Sequence, residues 1–175
     1  MKKAIALFLL LVLFLSACTS TYATQNNSLI YSTILDELRT NQADLYYYVK
    51  DIDGDNVADL IVLENTKLSV YSYENSVNLI GEHDFITGTV RFFSSDSNSF
   101  PGIFYFTVSG GINHYGYMTI ENGNLSFEKL WEEDYSTEEQ NNAERITELS
   151  SNKELISESK RLYIENADIK FALLK

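Results

Sequence analysis

Short apolar runs alternate with polar turns through the middle of the chain, a pattern typical of β-strands. Residues 45–49 include three consecutive tyrosines, and residues 60–63 are wholly apolar, as expected for a buried strand. Ser109-Gly110-Gly111 and Asn122-Gly123 are turn signals that predict two hairpins. We predict further strands over residues 68–73, 77–80, 90–93, 103–108, 112–120 and 125–131. The middle of the chain is therefore predicted to be an antiparallel sheet built from hairpins.

Helical patterns flank this β-rich region on both sides. Ser28 is a predicted N-cap for a helix that ends near residue 40, with apolar residues every three to four positions. A capping box that starts at Ser136 predicts a helix over residues 136–149, and apolar spacing predicts another over residues 153–164. Alternation over residues 169–173 predicts a last strand. The predicted fold class is α+β: an antiparallel sheet with an N-terminal helix and C-terminal helices.

The start of the chain has the composition of a secretory leader. Two lysines precede an apolar run from Ala4 to Leu15, and Ser16 and Ala17 precede Cys18. The twelve residues of that run span about 18 Å as a helix, short of the roughly 30 Å hydrocarbon layer, so a transmembrane helix is disfavoured. Residues 15–18, Leu-Ser-Ala-Cys, resemble the lipobox of bacterial lipoproteins. The resemblance implies that residues 1–17 are a signal peptide and that Cys18 carries the acyl chains of a membrane anchor.

Cys18 is the only cysteine of the chain, so it has no intramolecular disulfide partner. The alternative is an ordinary signal peptide that happens to end near a cysteine. Residues 18–28 are polar and aperiodic, which predicts a flexible tether after the lipidated cysteine, and residues 29–175 form one predicted globular domain. We therefore expect a lipid-anchored protein on the outer face of the cytoplasmic membrane, in the bacterial cell envelope.

The charge balance limits the class of partner. Without Lys2 and Lys3 of the leader, 11 basic residues stand against 25 acidic ones, a formal charge of −14. A protein that follows a phosphate backbone needs a basic face, so we expect no nucleic-acid partner.

Residues 51–59 have the composition of a cation-binding loop. Asp51, Asp53, Asp55 and Asp59 occupy its first, third, fifth and ninth positions, and a backbone carbonyl near Val57 offers another oxygen. Alternate residues of a curling loop can direct their oxygens to one centre, and a flexible set of six to eight oxygens suits calcium better than magnesium. Without an ion these carboxylates repel one another. The alternative is a solvated acidic turn, because Asp, Asn and Gly are all turn formers.

The loop departs from the EF-hand pattern, because its sixth residue is Asn56 instead of Gly and its twelfth is Val62 instead of Glu. With strands on both sides, it instead resembles the calcium loop of integrin-type FG-GAP and VCBS repeats. The resemblance implies a structural Ca²⁺ between two strands. The implied ligands are Asp51, Asp53, Asp55, the carbonyl of Val57, and Asp59. Since only one such loop exists, we expect a single propeller-blade-like meander extended by hairpins, in a chain similar to small lipoproteins of Gram-positive bacteria.

The sequence offers little other chemistry. His83 and His114 lack zinc-site spacing, and Ser109 lacks the Gly-x-Ser-x-Gly pattern, so we predict no catalytic residue. Many tyrosines lie on predicted strands, where they either pack under the helices or form an exposed binding surface.

We expect a non-enzymatic envelope module that binds a protein or a glycan. The alternatives are a calcium-stabilised hydrolase of cell-wall or extracellular polymer, and an inhibitor or immunity-type lipoprotein. A deep pocket with converging acids favours the hydrolase, whereas a flat, tyrosine-lined face favours binding.

Overall fold

The computed structural model describes residues 29–39, 44–85, 89–136 and 145–174. The predicted signal peptide, Cys18 and the tether lie outside these ranges. The elements of the described ranges are α1 (Ser32–Arg39), β1 (Leu45–Lys50), β2 (Asp59–Glu64), β3 (Lys67–Tyr73), β4 (Val77–Asp84), β5 (Val90–Ser94), β6 (Ile103–Ser109), β7 (Ile112–Glu121), β8 (Asn124–Asp134), β9 (Ile146–Glu148), α2 (Lys153–Glu165) and β10 (Ala172–Leu174). Neither helix in this part of the chain is long and apolar enough to cross a membrane.

The strands form two antiparallel sheets of five strands each. Sheet A has the order β10-β1-β2-β3-β4, and sheet B has the order β5-β6-β7-β8-β9. Antiparallel β structure with helices near both ends, the coarse prediction, is confirmed. The prediction of one sheet is wrong. Stacking two sheets explains why strands such as β6, with four consecutive buried residues, are apolar on both faces.

The molecule has four layers, in the order α1, sheet A, sheet B, α2. In β2, Leu60 and Val62 pack with the residues of α1, whereas Ile61 joins the cluster between the two sheets. On the far side of sheet B, α2 packs Leu155 and other apolar residues against a cluster that includes several aromatic side chains. Each sheet therefore has one face on its own helix and one on the other sheet.

The C-terminal part follows the prediction only partly. The helix predicted over residues 136–149 is wrong at residues 146–148, which form β9 and pair with the end of β8; residues 137–144 lie outside the described ranges. There the β-branched pair Ile146-Thr147 extends the edge of sheet B instead of continuing a helix. The second helix is confirmed as α2, which begins after the N-cap Asn152. The last strand, β10, pairs with β1.

Candidate metal centre

The acidic loop connects β1 to β2, two neighbouring antiparallel strands of sheet A. Lys50 and Asp59 face each other where the strands end. Between them, Gly54 and Asn56 have φ angles of 83° and 69°, the left-handed conformation that glycine and asparagine tolerate best. These two residues in the left-handed conformation turn the chain back on itself within the loop.

Backbone amides hold the carboxylates of the loop in place. The two oxygens of Asp51 accept hydrogen bonds from the N–H groups of Gly54, at 2.6 Å, and Asn56, at 2.8 Å. Asp53 Oδ1 accepts from the N–H of Asp55 at 3.1 Å. These are side-chain-to-backbone turns of the kind that Asp forms readily, so the loop conformation follows from its own sequence.

Three of the predicted ligand residues converge. One oxygen of each of Asp51, Asp53 and Asp59 lies within 4.8 Å of the others. Two oxygens that each lie about 2.4 Å from one calcium ion can be at most about 4.8 Å apart, so this spacing fits a shared ion. Asp55 is outside the group, and its Oδ1 accepts from the N–H of Val57 at 2.6 Å. The Val57 carbonyl stays a predicted ligand.

Asp59 is the unusual member of the cluster, because only 1% of its surface is exposed. Its Oδ2 accepts a hydrogen bond from the N–H of Ile52 at 3.0 Å, but its buried Oδ1 has no hydrogen-bond partner among the described residues. Burial raises the pKa of Asp59 to about 6, although the Ile52 amide favours the charged form and so, more weakly, does the nearby Ser72 hydroxyl, which makes no hydrogen bond to Oδ1. A buried carboxylate oxygen without a donor is costly unless a positive charge meets it.

The electrostatics of the loop also favour a cation. Burial raises the pKa of Asp53, and the charges of Asp55 and Asp51 raise it further. Lys50, which directly precedes the loop, directs its Nζ to the hydroxyl of Ser94 at 2.6 Å instead of to a loop carboxylate. An ion at the centre of the cluster would relieve this repulsion.

Burial of Ile52 and hydrogen bonds from two distant residues hold the loop in the fold. The Ile52 side chain is fully buried between the sheets, and its carbonyl accepts a hydrogen bond of 2.6 Å from Thr119 Oγ1 of β7. Tyr31, just before α1, is also fully buried and donates from its hydroxyl to the Ala58 carbonyl at 2.8 Å. Sequence reasoning missed both hydroxyl donors, since Thr119 and Tyr31 lie far from the loop along the chain.

The tyrosines of the strands mostly pack inside. Tyr105, Tyr115 and Tyr117 of sheet B are buried, whereas Tyr46 of β1 is exposed. The remaining strand tyrosines are half-buried: Tyr47, Tyr48, Tyr71 and Tyr73. Packing under and between the layers therefore accounts for most of this residue type.

A cleft of about 420 Å³, here called the inter-sheet cleft, lies between the sheets at the end of the strands opposite the acidic loop. Its inner part is aromatic, formed by Phe85, Tyr105 and Phe127 of the inter-sheet cluster. His83 of β4 lines it as well, with its ring 4.3 Å from that of Phe127. Neither this cleft nor the burial of Asp59 Oδ1 was visible in the sequence pattern.

Comparison of the chain with protein-family models, curated proteins and solved structures gives no match.

Proposed function

We propose that this chain is a lipid-anchored, extracytoplasmic protein of the bacterial cell envelope that holds a structural Ca²⁺ in its acidic loop and binds an envelope glycan. The observation that supports the ion most strongly is Asp59 Oδ1, a buried carboxylate oxygen without a hydrogen-bond donor in the described structure. It belongs to the cluster that Asp51 and Asp53 complete.

The donor set suits calcium better than magnesium. Magnesium requires a near-ideal octahedron at about 2.0–2.1 Å, whereas calcium accepts irregular sets of oxygens at about 2.3–2.6 Å. In the proposed site Asp51, Asp53 and Asp59 bind the ion directly, and Asp55 and the Val57 carbonyl remain further candidate ligands. The loop joins two paired strands of the meander β1–β4, which supports the resemblance to an FG-GAP-like or VCBS-like blade.

The proposed role of the ion is structural. The loop it would hold carries the buried Ile52 and accepts hydrogen bonds from sheet B and from Tyr31. An ion that fixes the loop therefore fixes the junction of α1 and the two sheets.

Calorimetric titration of the full chain with Ca²⁺, and separately with Mg²⁺, tests the site. We expect one calcium site, with a dissociation constant as weak as about 10⁻⁴–10⁻³ M, and weaker magnesium binding. The Asp59→Asn variant should lose the calcium heat, because the amide keeps an acceptor for the Ile52 amide but removes the charge.

Asp36→Asn is the matched control for that titration. Asp36 is an exposed acid on α1, paired with Arg39, and its loss changes the net charge by the same amount. The proposal is contradicted if wild type shows no calcium heat at millimolar ion, or if Asp59→Asn binds as wild type does.

The membrane anchor is a separate part of the proposal and rests on the lipobox-like residues 15–18. Metabolic labelling with a radioactive fatty acid should mark the wild-type chain in its bacterial host. The Cys18→Ala variant should remain unlabelled. Equal labelling of both chains would contradict lipidation at Cys18.

The inter-sheet cleft is the proposed site for the glycan partner. A concave, aromatic surface with a few polar side chains at its edge is typical of ligand sites, and sugar rings pack well on aromatic faces. Calorimetric titration with soluble cell-wall oligosaccharides tests this site. The wild-type chain should give saturable heat, and the heat should weaken in His83→Ala, because His83 lines the cleft. The absence of binding heat at millimolar saccharide would contradict glycan binding there.

A further inference from the structure

Three neighbouring strands of sheet B bring a serine, a histidine and a glutamate into line. Ser109 Oγ of β6 lies 3.4 Å from Nε2 of His114 on β7. Nδ1 of the same imidazole lies 2.7 Å from Oε1 of Glu132 on β8. The two ring nitrogens therefore face a hydroxyl on one side and a carboxylate on the other.

The register of the sheet explains this arrangement. His114 and Glu132 are direct cross-strand partners, and Thr107 is the partner of His114 on the other side. Ser109 lies two residues beyond Thr107, on the same face of β6. All four residues line the inter-sheet cleft, so this face of sheet B meets open space instead of sheet A.

The contacts of the two ring nitrogens fit a base that is oriented by a carboxylate. The short contact to Glu132 is that of an Nδ1–H group that donates to a carboxylate. In the neutral imidazole, Nε2 then carries the lone pair that accepts from the hydroxyl of Ser109. This is the order of groups by which a carboxylate orients an imidazole and the imidazole activates a serine, and it is recognised by geometry and not by sequence position.

The surroundings allow a substrate to reach the serine. Ser109 is exposed, and the side chains of His114 and Glu132 are 23% and 24% exposed. The aromatic inner wall of the cleft begins beside these groups. Gly110 and Gly111, both with positive φ, form the turn directly after Ser109, so their N–H groups lie outside the strand ladder. Because these N–H groups follow Ser109 directly in the chain, they are the candidate donors to an oxyanion.

We propose that Ser109 is the nucleophile of an ester-cleaving site in the inter-sheet cleft, with His114 as general base and Glu132 as the positioning residue. The substrate class is a carboxylic ester. This activity goes beyond the proposed calcium-stabilised binding function and corresponds to the hydrolase alternative.

The reaction balances with water as the only co-reactant. Ser109 Oγ bonds to the acyl carbon while its proton passes to His114 Nε2. The ester C–O bond then breaks, and the alkoxide leaves with that proton as an alcohol. Water attacks the acyl-serine, with His114 again accepting a proton and returning it to Ser109, and the carboxylic acid is released.

A fluorophosphonate probe tests the nucleophile, because it phosphonylates activated serines with loss of fluoride. Mass spectrometry of the full chain should find one label, on Ser109. Ser109→Ala should carry no label. His114→Gln should react at least about 100-fold more slowly, the size of effect that general-base catalysis supplies. Ser76→Ala is the matched control, since Ser76 is an exposed turn serine far from the cleft, and it should label as wild type does.

Hydrolysis of p-nitrophenyl acetate tests the role of Glu132. Glu132→Gln should lower kcat at least about 100-fold with KM nearly unchanged, because it disturbs the imidazole and not the cleft that binds the ester. Thermal unfolding of each variant confirms that the fold is retained. The proposal is overturned by any of three results: no label on the wild-type chain, equal labelling of His114→Gln and wild type, or undiminished ester hydrolysis by Ser109→Ala.

Discussion

The two ends of the β-sandwich are built differently. At one end the acidic loop is closed over the core: Ile52 fills the space between the sheets, and hydrogen bonds from Thr119 and Tyr31 hold the loop backbone. At the other end the sheets separate and leave the inter-sheet cleft, where His114 and Glu132 are partly exposed.

We therefore expect substitutions at the loop end to change the stability of the fold, and substitutions at the cleft end to change ligand binding or reactivity. The loop end buries an incompletely satisfied carboxylate, so its stability depends on charge compensation. The cleft end carries polar groups that are near one another but reachable by a ligand, so changes there affect the fold little. The following substitutions test this contrast.

The largest effect is expected at Ile52. Replacing a fully buried isoleucine with alanine creates a cavity at the junction of the sheets, and Ile52→Ala should lower the free energy of unfolding by about 2 to 5 kcal/mol. Urea unfolding followed by Trp131 fluorescence measures this. A loss below about 1 kcal/mol would show that the loop is not part of the core.

The next effect is the pH dependence of the metal-free protein. Because the pKa of Asp59 is about 6 in the fold and near 4 in the unfolded chain, the folded state binds the proton more tightly. In chelator, the free energy of unfolding should therefore fall by at most about 3 kcal/mol as the pH rises from about 4 to 7 and Asp59 loses its proton. Asp59→Asn should lack this contribution and be more stable than wild type at pH 7. Parallel stability curves for the two chains would contradict the burial argument.

A smaller effect is expected for the hydrogen bond between the loop and sheet B. Thr119→Val keeps the side-chain shape but removes the donor to the Ile52 carbonyl, and it should cost about 1 kcal/mol. Thr107→Val in the cleft wall is the matched control and should change stability by less than about 0.5 kcal/mol. Urea unfolding measures the free energy of unfolding of both variants. Equal losses would contradict the proposed difference between the two ends of the sandwich.

The smallest effect on stability is expected at Ser109. Ser109→Ala removes one exposed hydroxyl, so its free energy of unfolding should stay within about 0.5 kcal/mol of wild type. Thermal unfolding measures this. A larger loss would mean that the serine has a structural role at the hairpin.

Local features of the fold were predictable from sequence because short-range rules govern them. Asn122-Gly123 forms the predicted turn between β7 and β8, and α2 begins where its spacing indicated. The division into two sheets was not predictable in this way, because it arises where β5 begins a second sheet instead of pairing with its chain neighbour β4. Residues 146–148 form a strand because the edge of β8 is available to them, which no local pattern records.

The same limit applies to the candidate site. The spacing of Asp51, Asp53 and Asp59 predicted their convergence, because the loop makes its own turns. The burial of Asp59 Oδ1 and the hydroxyl of Thr119 were not predictable, since sheet B and the inter-sheet packing impose them. The line of Ser109, His114 and Glu132 likewise depends on the register of three strands.

Calcium-dependent thermal unfolding of the full chain at pH 7 tests the central claim most directly. At about 100 times its dissociation constant, calcium should add about 2.7 kcal/mol to the free energy of unfolding and raise the wild-type midpoint by several degrees relative to chelator. Asp59→Asn should show the same midpoint in calcium and in chelator. Identical wild-type curves in chelator and in calcium at about 100 mM, about 100 times the weakest dissociation constant expected, would contradict the account and leave residues 51–59 as an acidic turn.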